Sequence, residues 1–209
     1  MEKPTEKGIV RLPVRTRRVL SRDGSSERES LVFCPLLARS MPVDLCAQCP
    51  RAEALSEDAC TCRIELPRDD GRPRVDVSEA ATRTYVGDLL ERETVCVRED
   101  ARIELALGVL ADGAPYVPVV SRAGRLVGIV RRNTVREVNG ARSITAGDGA
   151  GPVGVTLPES LPLSMAIAVI AGTEELPLPV LSEAGSLVGS MGAVDIVRWV
   201  AKRMGYAVT

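Results

Sequence analysis

SRAGRLVG at residues 121–128 returns as SEAGSLVG at 182–189, with six of the eight positions identical. Self-similarity at a fixed interval is the signature of a repeated structural unit. Upstream, Ile103, Ala106, Leu107 and Leu110 match Leu163, Ala166, Ile167 and Ile170 at a shift of 60 residues. Both sets have the i, i+3, i+4, i+7 spacing of one buried helix face. Between helix and quoted phrase lie VPVV at 117–120 and LPVL at 178–181, which read as short buried strands. A polar hairpin with glycine at 124 or 185 joins each to the next strand. After the second copy, Ile196, Trp199, Val200 and Arg203 set a single stripe on a C-terminal helix. Each unit therefore reads strand, helix, strand, strand, helix. One unit alone exposes an apolar sheet face, so the two are expected to pack about a pseudo-twofold axis.

Composition narrows the chemistry. The chain has 209 residues, a formal charge of −1, and no histidine. Ser-His-Asp and Cys-His catalysis and every zinc site that needs an imidazole are thereby excluded. Aromatic residues are 2% of the chain (Phe33, Tyr85, Tyr116, Trp199 and Tyr206), too few for base-stacking platforms. The sequence shows no nucleophile–base pair, phosphate-cradling GxxxxGK[ST] loop or carboxylate cluster, so a non-enzymatic protein is expected. No apolar run reaches the roughly 18–20 residues of a membrane span. The N-terminal MEKPTEKGIVRLPVRTRRVL lacks the apolar core of a signal peptide, and the expectation is a cytoplasmic protein with no membrane association.

Composition also divides the chain. PRDDGRPRVD at 67–76 reads as a linker, giving segments 1–75, 76–142 and 143–209. Alternating stretches at 9–20 and 27–33 flank RDGSS, a pattern that fits either a β-hairpin leading into Cys34 or a basic mobile tail. Five of the six cysteines lie in the first segment, as Cys34, Cys46-Ala-Gln-Cys49 and Cys60-Thr-Cys62. In a reducing compartment such a set reads as thiols or metal ligands, not disulfides. Four thiolates without imidazole suit tetrahedral Zn²⁺, and Cys34, Cys46, Cys49 and Cys62 are the candidate ligands. Cys60 is the spare, because a one-residue gap makes it awkward for both Cys60 and Cys62 to point at one metal. An iron–sulfur centre, unligated thiols or a redox Cys-x-x-Cys are the other readings. Cys96, in TVCV, is expected in the core.

The segments TYVGDLLERETVCVREDARIELALGVLADGAPYVPVVSRAGRLVGIVRRNTV at 84–135 and GVTLPESLPLSMAIAVIAGTEELPLPVLSEAGSLVGSMGAVDIVRWV at 154–200 resemble the CBS domain, the repeat that occurs in tandem as a Bateman module. The resemblance implies an α/β fold of two pseudo-symmetric β-α-β-β-α repeats behind a small Cys-rich metal-binding segment. It also implies homodimerisation, no catalysis, and an adenosine-containing ligand (AMP, ADP, ATP or S-adenosylmethionine) between the repeats. CPLLARSMPVDLCAQCPR is similar to a Cys-rich segment that precedes the repeats in some bacterial members.

The family's ligand pattern is a glycine, a Ser/Thr three residues on and an Asp three further, placing a carboxylate on ribose hydroxyls and a helix N-terminus on phosphate. The second repeat offers Gly189 and Asp195, with Gly192 at the hydroxyl position. The first keeps Gly128 but has Arg131 and Thr134 at the other two, so one ribose half-site is expected, with Arg131 and Arg132 as candidate phosphate contacts. Alternatively, Asp195 caps its helix and the arginines are solvated.

The leading expectation is a regulatory sensor acting on an unidentified protein partner. The alternatives are a scaffold or interaction protein whose nucleotide site has decayed, and a nucleic-acid binder using the zinc knuckle with Arg11, Arg15, Arg17 and Arg18. Six arginines face two acids between residues 9 and 28, but the overall charge and the lack of aromatics oppose the nucleic-acid reading.

Overall fold

The computed structural model describes residues 6–66, 77–90, 93–132, 144–174 and 177–206. The expected linker at 67–76, both segment boundaries, Thr134 and the stretch where the first repeat's last helix is expected lie outside them.

The chain opens on a 15-residue strand β1 (Glu6–Leu20), followed by β2 (Ser26–Cys34), β3 (Arg39–Pro42), a short helix α1 (Val43–Ala47), β4 (Ala52–Leu55) and β5 (Ala59–Leu66). Of the two readings of residues 9–33, the hairpin is the one formed: Val14–Leu20 of β1 pair antiparallel with Ser26–Val32 of β2. Glu6–Pro13 pair instead with β5. Where the partner changes, so does the buried phase. Leu12 is buried before the change, and Arg15, Arg17 and Val19 after it. Pro13, with no N–H to give a ladder, stands at the switch.

The first repeat contains β6 (Thr94–Arg98), α3 (Ile103–Ala111), β7 (Tyr116–Val120) and β8 (Leu126–Arg131). Its counterpart is β9 (Leu157–Pro158), α4 (Leu163–Ala171), β10 (Leu178–Leu181), β11 (Leu187–Met191) and α5 (Ala193–Arg203). Both helices bury the faces their spacing marks, Ile103, Ala106 and Leu110 on α3 and Leu163, Ala166 and Ile170 on α4. Gly124 and Gly185 turn their hairpins at φ +74° and +77°, where a side chain is strained. On α5 no residue is fully buried, but Ile196 and Trp199 pack against the second repeat's core. Cys96 is fully buried, as TVCV implies.

Two connections go beyond the pattern. First, β1 runs parallel to β6, so the first repeat's sheet continues into the N-terminal segment in the order β3-β2-β1-β6-β7-β8; β9–β11 form a separate sheet. Second, each repeat is entered through a turn that belongs to the other's core. Between helix α2 (Val77–Arg83) and β6, a 3₁₀ turn at Val86–Leu89 sends the N–H groups of Val86 and Gly87 to the carbonyls of Leu161 and Glu159. Sixty residues on, Ala146 and Gly147 donate to Ala101 and Glu99. Val86, Leu89 and Leu90 join the second repeat's core, and Ala146 joins the first's. The hairpins close the same symmetry, Leu126 donating to Gly185 and Leu187 to Gly124. These reciprocal bonds realise the expected pseudo-twofold relation.

Candidate functional site

Strand register builds the cleft between the repeats. Tyr116 on β7 pairs directly with Arg131 on β8, so both side chains leave the same face of the sheet. With Pro115 and Ile129 they form one wall of a cavity of about 250 Å³. The facing wall comes from the second repeat: Val153–Val155, ahead of β9, and Pro177–Pro179, at the start of β10, with Glu174 beside them. The lining is mostly apolar with a few convergent polar groups, the usual character of a small-ligand pocket. Burial pushes the Tyr116 phenol's pKa up, partly offset by the Arg131 charge. The hydroxyl is buried and has no hydrogen-bond partner among the described residues. Arg131 donates from Nη1 to the carbonyl of Pro152 at 3.3 Å.

Of the residues proposed from the sequence, Arg131 lines this cavity. Arg132 turns to the end of α3, its Nη2 donating to the Leu110 carbonyl at 2.6 Å. Gly189 lies under the Leu90 side chain, which a Cβ there would meet at 2.9 Å, as a Cβ at Gly128 would meet Ala150 at 2.9 Å. These glycines admit the two exchanged turns to the strands. Gly192 abuts Pro177, which lines the cavity, so the Asp195 turn is its neighbour. Asp195 accepts the Gly192 N–H on Oδ2 at 2.8 Å, and its Oδ1 lies 3.5 Å from Arg198 Nη1. The capping alternative for this carboxylate is thus realised.

Of Arg11, Arg15, Arg17 and Arg18, Arg15 and Arg17 are buried, whereas Arg11 is exposed. Arg17, 6% exposed, pairs with Glu29 and donates to the carbonyls of Gly124 and Leu187, touching both repeats' hairpins. Arg15, 3% exposed, donates to Ser40 Oγ at 2.9 Å. Ser40 in turn donates its N–H (2.9 Å) and its hydroxyl to Oε2 of the buried Glu159. Burial lowers the Arg15 guanidinium to about 10, against the opposing charges of Glu159 and Asp88. Phe33 lies on Gly87, where its ring leaves no space for a Cβ.

Cys46, Cys60 and Cys62 share one core cluster, and Cys34 and Cys49 lie near enough for their charges to act on Cys46. Cys46 and Cys49 bracket a turn closed by the Cys49 N–H to Cys46 carbonyl bond of 3.0 Å. Cys60 and Cys62 project from one face of β5 with sulfurs 3.6 Å apart, because residues i and i+2 of a strand share a face. The one-residue gap therefore leaves the Cys60 and Cys62 sulfurs adjacent. Zn–S bonds of about 2.3 Å put tetrahedral sulfurs roughly 3.8 Å apart, so this pair has the spacing of two ligands to one ion. Burial, then its contact with Cys60 and the charges of Cys49 and Cys34, pushes Cys62 up to about 12. Cys46 and Cys60 are raised too, first by burial. A soft divalent cation would relieve that mutual repulsion, so the donor set fits zinc chemistry. Even so, among the described residues no three potential ligands are disposed to hold a metal ion.

Sequence reasoning passed over Tyr116 and Glu159. Tyr116 stands where the second copy has Pro177, and that asymmetry was its one signal. Glu159 is matched by Glu99 in the other copy, and nothing in the sequence told the buried one from its less buried twin.

A family model described as CBS domain matches residues 86–139. The crystal structure of CbpB in complex with c-di-AMP superposes with a TM-score of 0.52 at 14% identity, over 61% of this chain and 91% of that one. A CBS domain pair/ACT domain protein from Thermotoga maritima gives 0.48 at 18% identity, over 57% and 98%. CBSX2 in complex with AMP gives 0.48 at 22% identity, over 56% and 96%. No curated protein matches the chain. The repeats thus have the fold of a CBS pair, and no described helix is long and apolar enough to cross a membrane.

Proposed function

We propose that the protein is a non-enzymatic regulatory module whose paired repeats bind an adenosine-containing nucleotide in the cleft between them. The observation that carries this is the apolar inter-repeat cavity with Tyr116 and Arg131 on one wall and Pro177–Pro179 on the other. The CBS model match and the fold likeness to CbpB, whose structure holds c-di-AMP, support it. Arg131 meets the ligand directly. Gly189, Gly192, Asp195 and Arg132 complete the proposed contact set. Ligand reaching Asp195 must displace or share the carboxylate's bonds to Gly192 and Arg198.

In this reading, segment 1–75 carries a structural Zn²⁺ on Cys34, Cys46, Cys49 and Cys62. Segments 76–142 and 143–209 are the two repeats. The module works in the cytoplasm as a homodimer and passes its ligand state to a protein partner. A scaffold without nucleotide is the second reading, favoured by the occupied Asp195 carboxylate. Burial of Arg15 and Arg17 weakens the nucleic-acid alternative.

Calorimetric titration of the full chain with AMP, ATP, S-adenosylmethionine and c-di-AMP, with metal analysis of the same preparation, tests the proposal. Saturable binding of at least one nucleotide supports the sensor. No binding at millimolar concentration overturns it in favour of the scaffold.

A further inference from the structure

Two pairs of cysteines are set by the backbone alone. β5 is paired on both edges, with Cys60 and Cys62 opposite Leu12 and Val10 of β1 and opposite Leu55 and Ala52 of β4. That double ladder holds the two sulfurs 3.6 Å apart, and the Cys60 thiol also hydrogen-bonds with Cys46. The Cys46–Cys49 turn runs directly into a second one, in which the Ala52 N–H donates to the Cys49 carbonyl at 3.0 Å. Ala52 is the cross-strand partner of Cys62, so the first pair is delivered beside the second. Cys49 lies near enough for its charge to act on Cys46, Cys60 and Cys62.

Cys34 comes from elsewhere in the sheet. It is the last residue of β2 and stands opposite Arg39 of β3. The Val14 N–H, opposite Val32 of β2, turns away to the Asp58 carbonyl just ahead of β5, so β2 and β5 flank opposite edges of β1. Two strand spacings, about 10 Å of backbone, therefore separate β2 from the strand that carries Cys60 and Cys62. Sulfurs on one tetrahedral zinc ion sit roughly 3.8 Å apart. Charge action on Cys46 and Cys62 places Cys34 near the cluster, but the intervening strand leaves it outside the pairings that hold the other four.

We propose that Cys60, not Cys34, completes the zinc site: Cys46, Cys49, Cys60 and Cys62 hold the ion, and Cys34 stays an uncoordinated thiol. This rests on the zinc reading of the N-terminal segment and changes one of its four ligands.

The test loads the full chain with Co²⁺ in place of Zn²⁺ and compares wild type, Cys34→Ser and Cys60→Ser. Visible d–d bands report a tetrahedral site, and the sulfur-to-cobalt charge-transfer band reports how many thiolates hold the ion. Cys34→Ser should keep the wild-type intensity and about one ion per chain. Cys60→Ser should lose about one quarter of the intensity, one thiolate in four. It should also weaken zinc retention about a hundredfold or more, beyond the cost of changing a residue that only supports a ligand. A second measurement needs no Cys60 variant: in zinc-loaded wild type, an alkylating reagent should modify Cys34 while Cys46, Cys49 and Cys62 stay protected until a chelator removes the ion. A thiolate lost in Cys34→Ser, none lost in Cys60→Ser, or protection of Cys34 by the metal overturns the proposal. Wild-type protein that takes up neither Zn²⁺ nor Co²⁺ sinks the zinc reading itself.

Discussion

The guanidinium of Arg17 donates to the main-chain carbonyl of Leu187, a residue 170 positions further along the chain. The same Nη1 reaches the Gly124 carbonyl at 3.3 Å, so one buried cation ties both repeats' hairpins to β1. Gly124 and Gly185 share a positive φ, and alanine at either pays the left-handed penalty of about 1–2 kcal/mol. Only at Gly124 would a Cβ also meet Arg17, at 2.8 Å from Nη2, whereas at Gly185 the closest atoms belong to Arg125 at 3.6 Å. Gly124→Ala is therefore expected to lower stability more than Gly185→Ala. Equal denaturant midpoints for the two would show that Arg17 yields freely.

The Arg15–Ser40–Glu159 chain is a second joint between the N-terminal segment and the second repeat. Arg15→Met removes a buried cation whose charge faces Glu159 through Ser40 without a direct ion pair, and should lower stability. The double variant Arg15→Met/Glu159→Leu removes both charges and should be more stable than the sum of the single losses implies. Strict additivity in a denaturation cycle would mean the two groups do not interact.

Asp88 supplies a pH signature. Burial pushes its carboxyl up despite the bond from the Tyr85 N–H and the charges of Arg15 and Arg203. A raised folded pKa means the native state holds the proton more tightly than the unfolded chain. Ionised Asp88 therefore subtracts stability above the folded pKa and nothing below the unfolded value of about 3.9. Asp88→Asn, which keeps an acceptor for Tyr85, should raise the melting temperature at neutral pH, with the gain vanishing near pH 3. A gain independent of pH would assign the effect elsewhere.

For Asp195, two roles separate by experiment. Removing its bond to the Gly192 N–H in Asp195→Ala should cost about 1 kcal/mol of stability, as lost helix caps do. In the proposed site, nucleotide binding also falls about ten- to a hundredfold. A stability loss with unchanged nucleotide affinity would leave Asp195 a cap alone.

Cys49→Ser is expected to abolish retained zinc, from about one ion per chain to none. It should also increase amide exchange across residues 30–65 while α4 and β10 stay protected. Wild-type protein that purifies without metal and with a protected N-terminal segment would remove zinc from the account.

The repeats were legible because helix period, strand phrase and hairpin glycine recur together, and each is a local property. The exchanged turns were half-visible: TYVGDLL at 84–90 and ITAGDGA at 144–150 share Gly-Asp at the shift that aligns the helices. Two identities do not say which repeat a turn packs upon. Alternation marks β1 as a strand but names no partner, and pairing with β6 is a long-range choice that patterning leaves open. At Arg15 and Arg17 the pattern misled, because arginines on alternate positions look like a solvated face and here occupy buried positions joined to Ser40, Glu29 and two carbonyls. The cleft was legible as a location, through the repeat, and not in its residues, because Tyr116 has no twin in the second copy.

The place of β1 in the sheet has a consequence for how the chain is made. Arg17 leaves the ribosome before its parallel partner Thr94, so one edge of β1 waits unpaired while the intervening chain is synthesised. Parallel pairing of distant segments is slow to form, and a bare strand edge invites pairing with other chains in the interval. Early formation of the antiparallel β1–β2 hairpin, whose turn is closed locally by the Ser21 N–H to Ser25 carbonyl bond, covers only part of that exposed backbone. The nascent chain is thus most vulnerable to aggregation after β2 has emerged and before β6 arrives, a window that slower translation would widen.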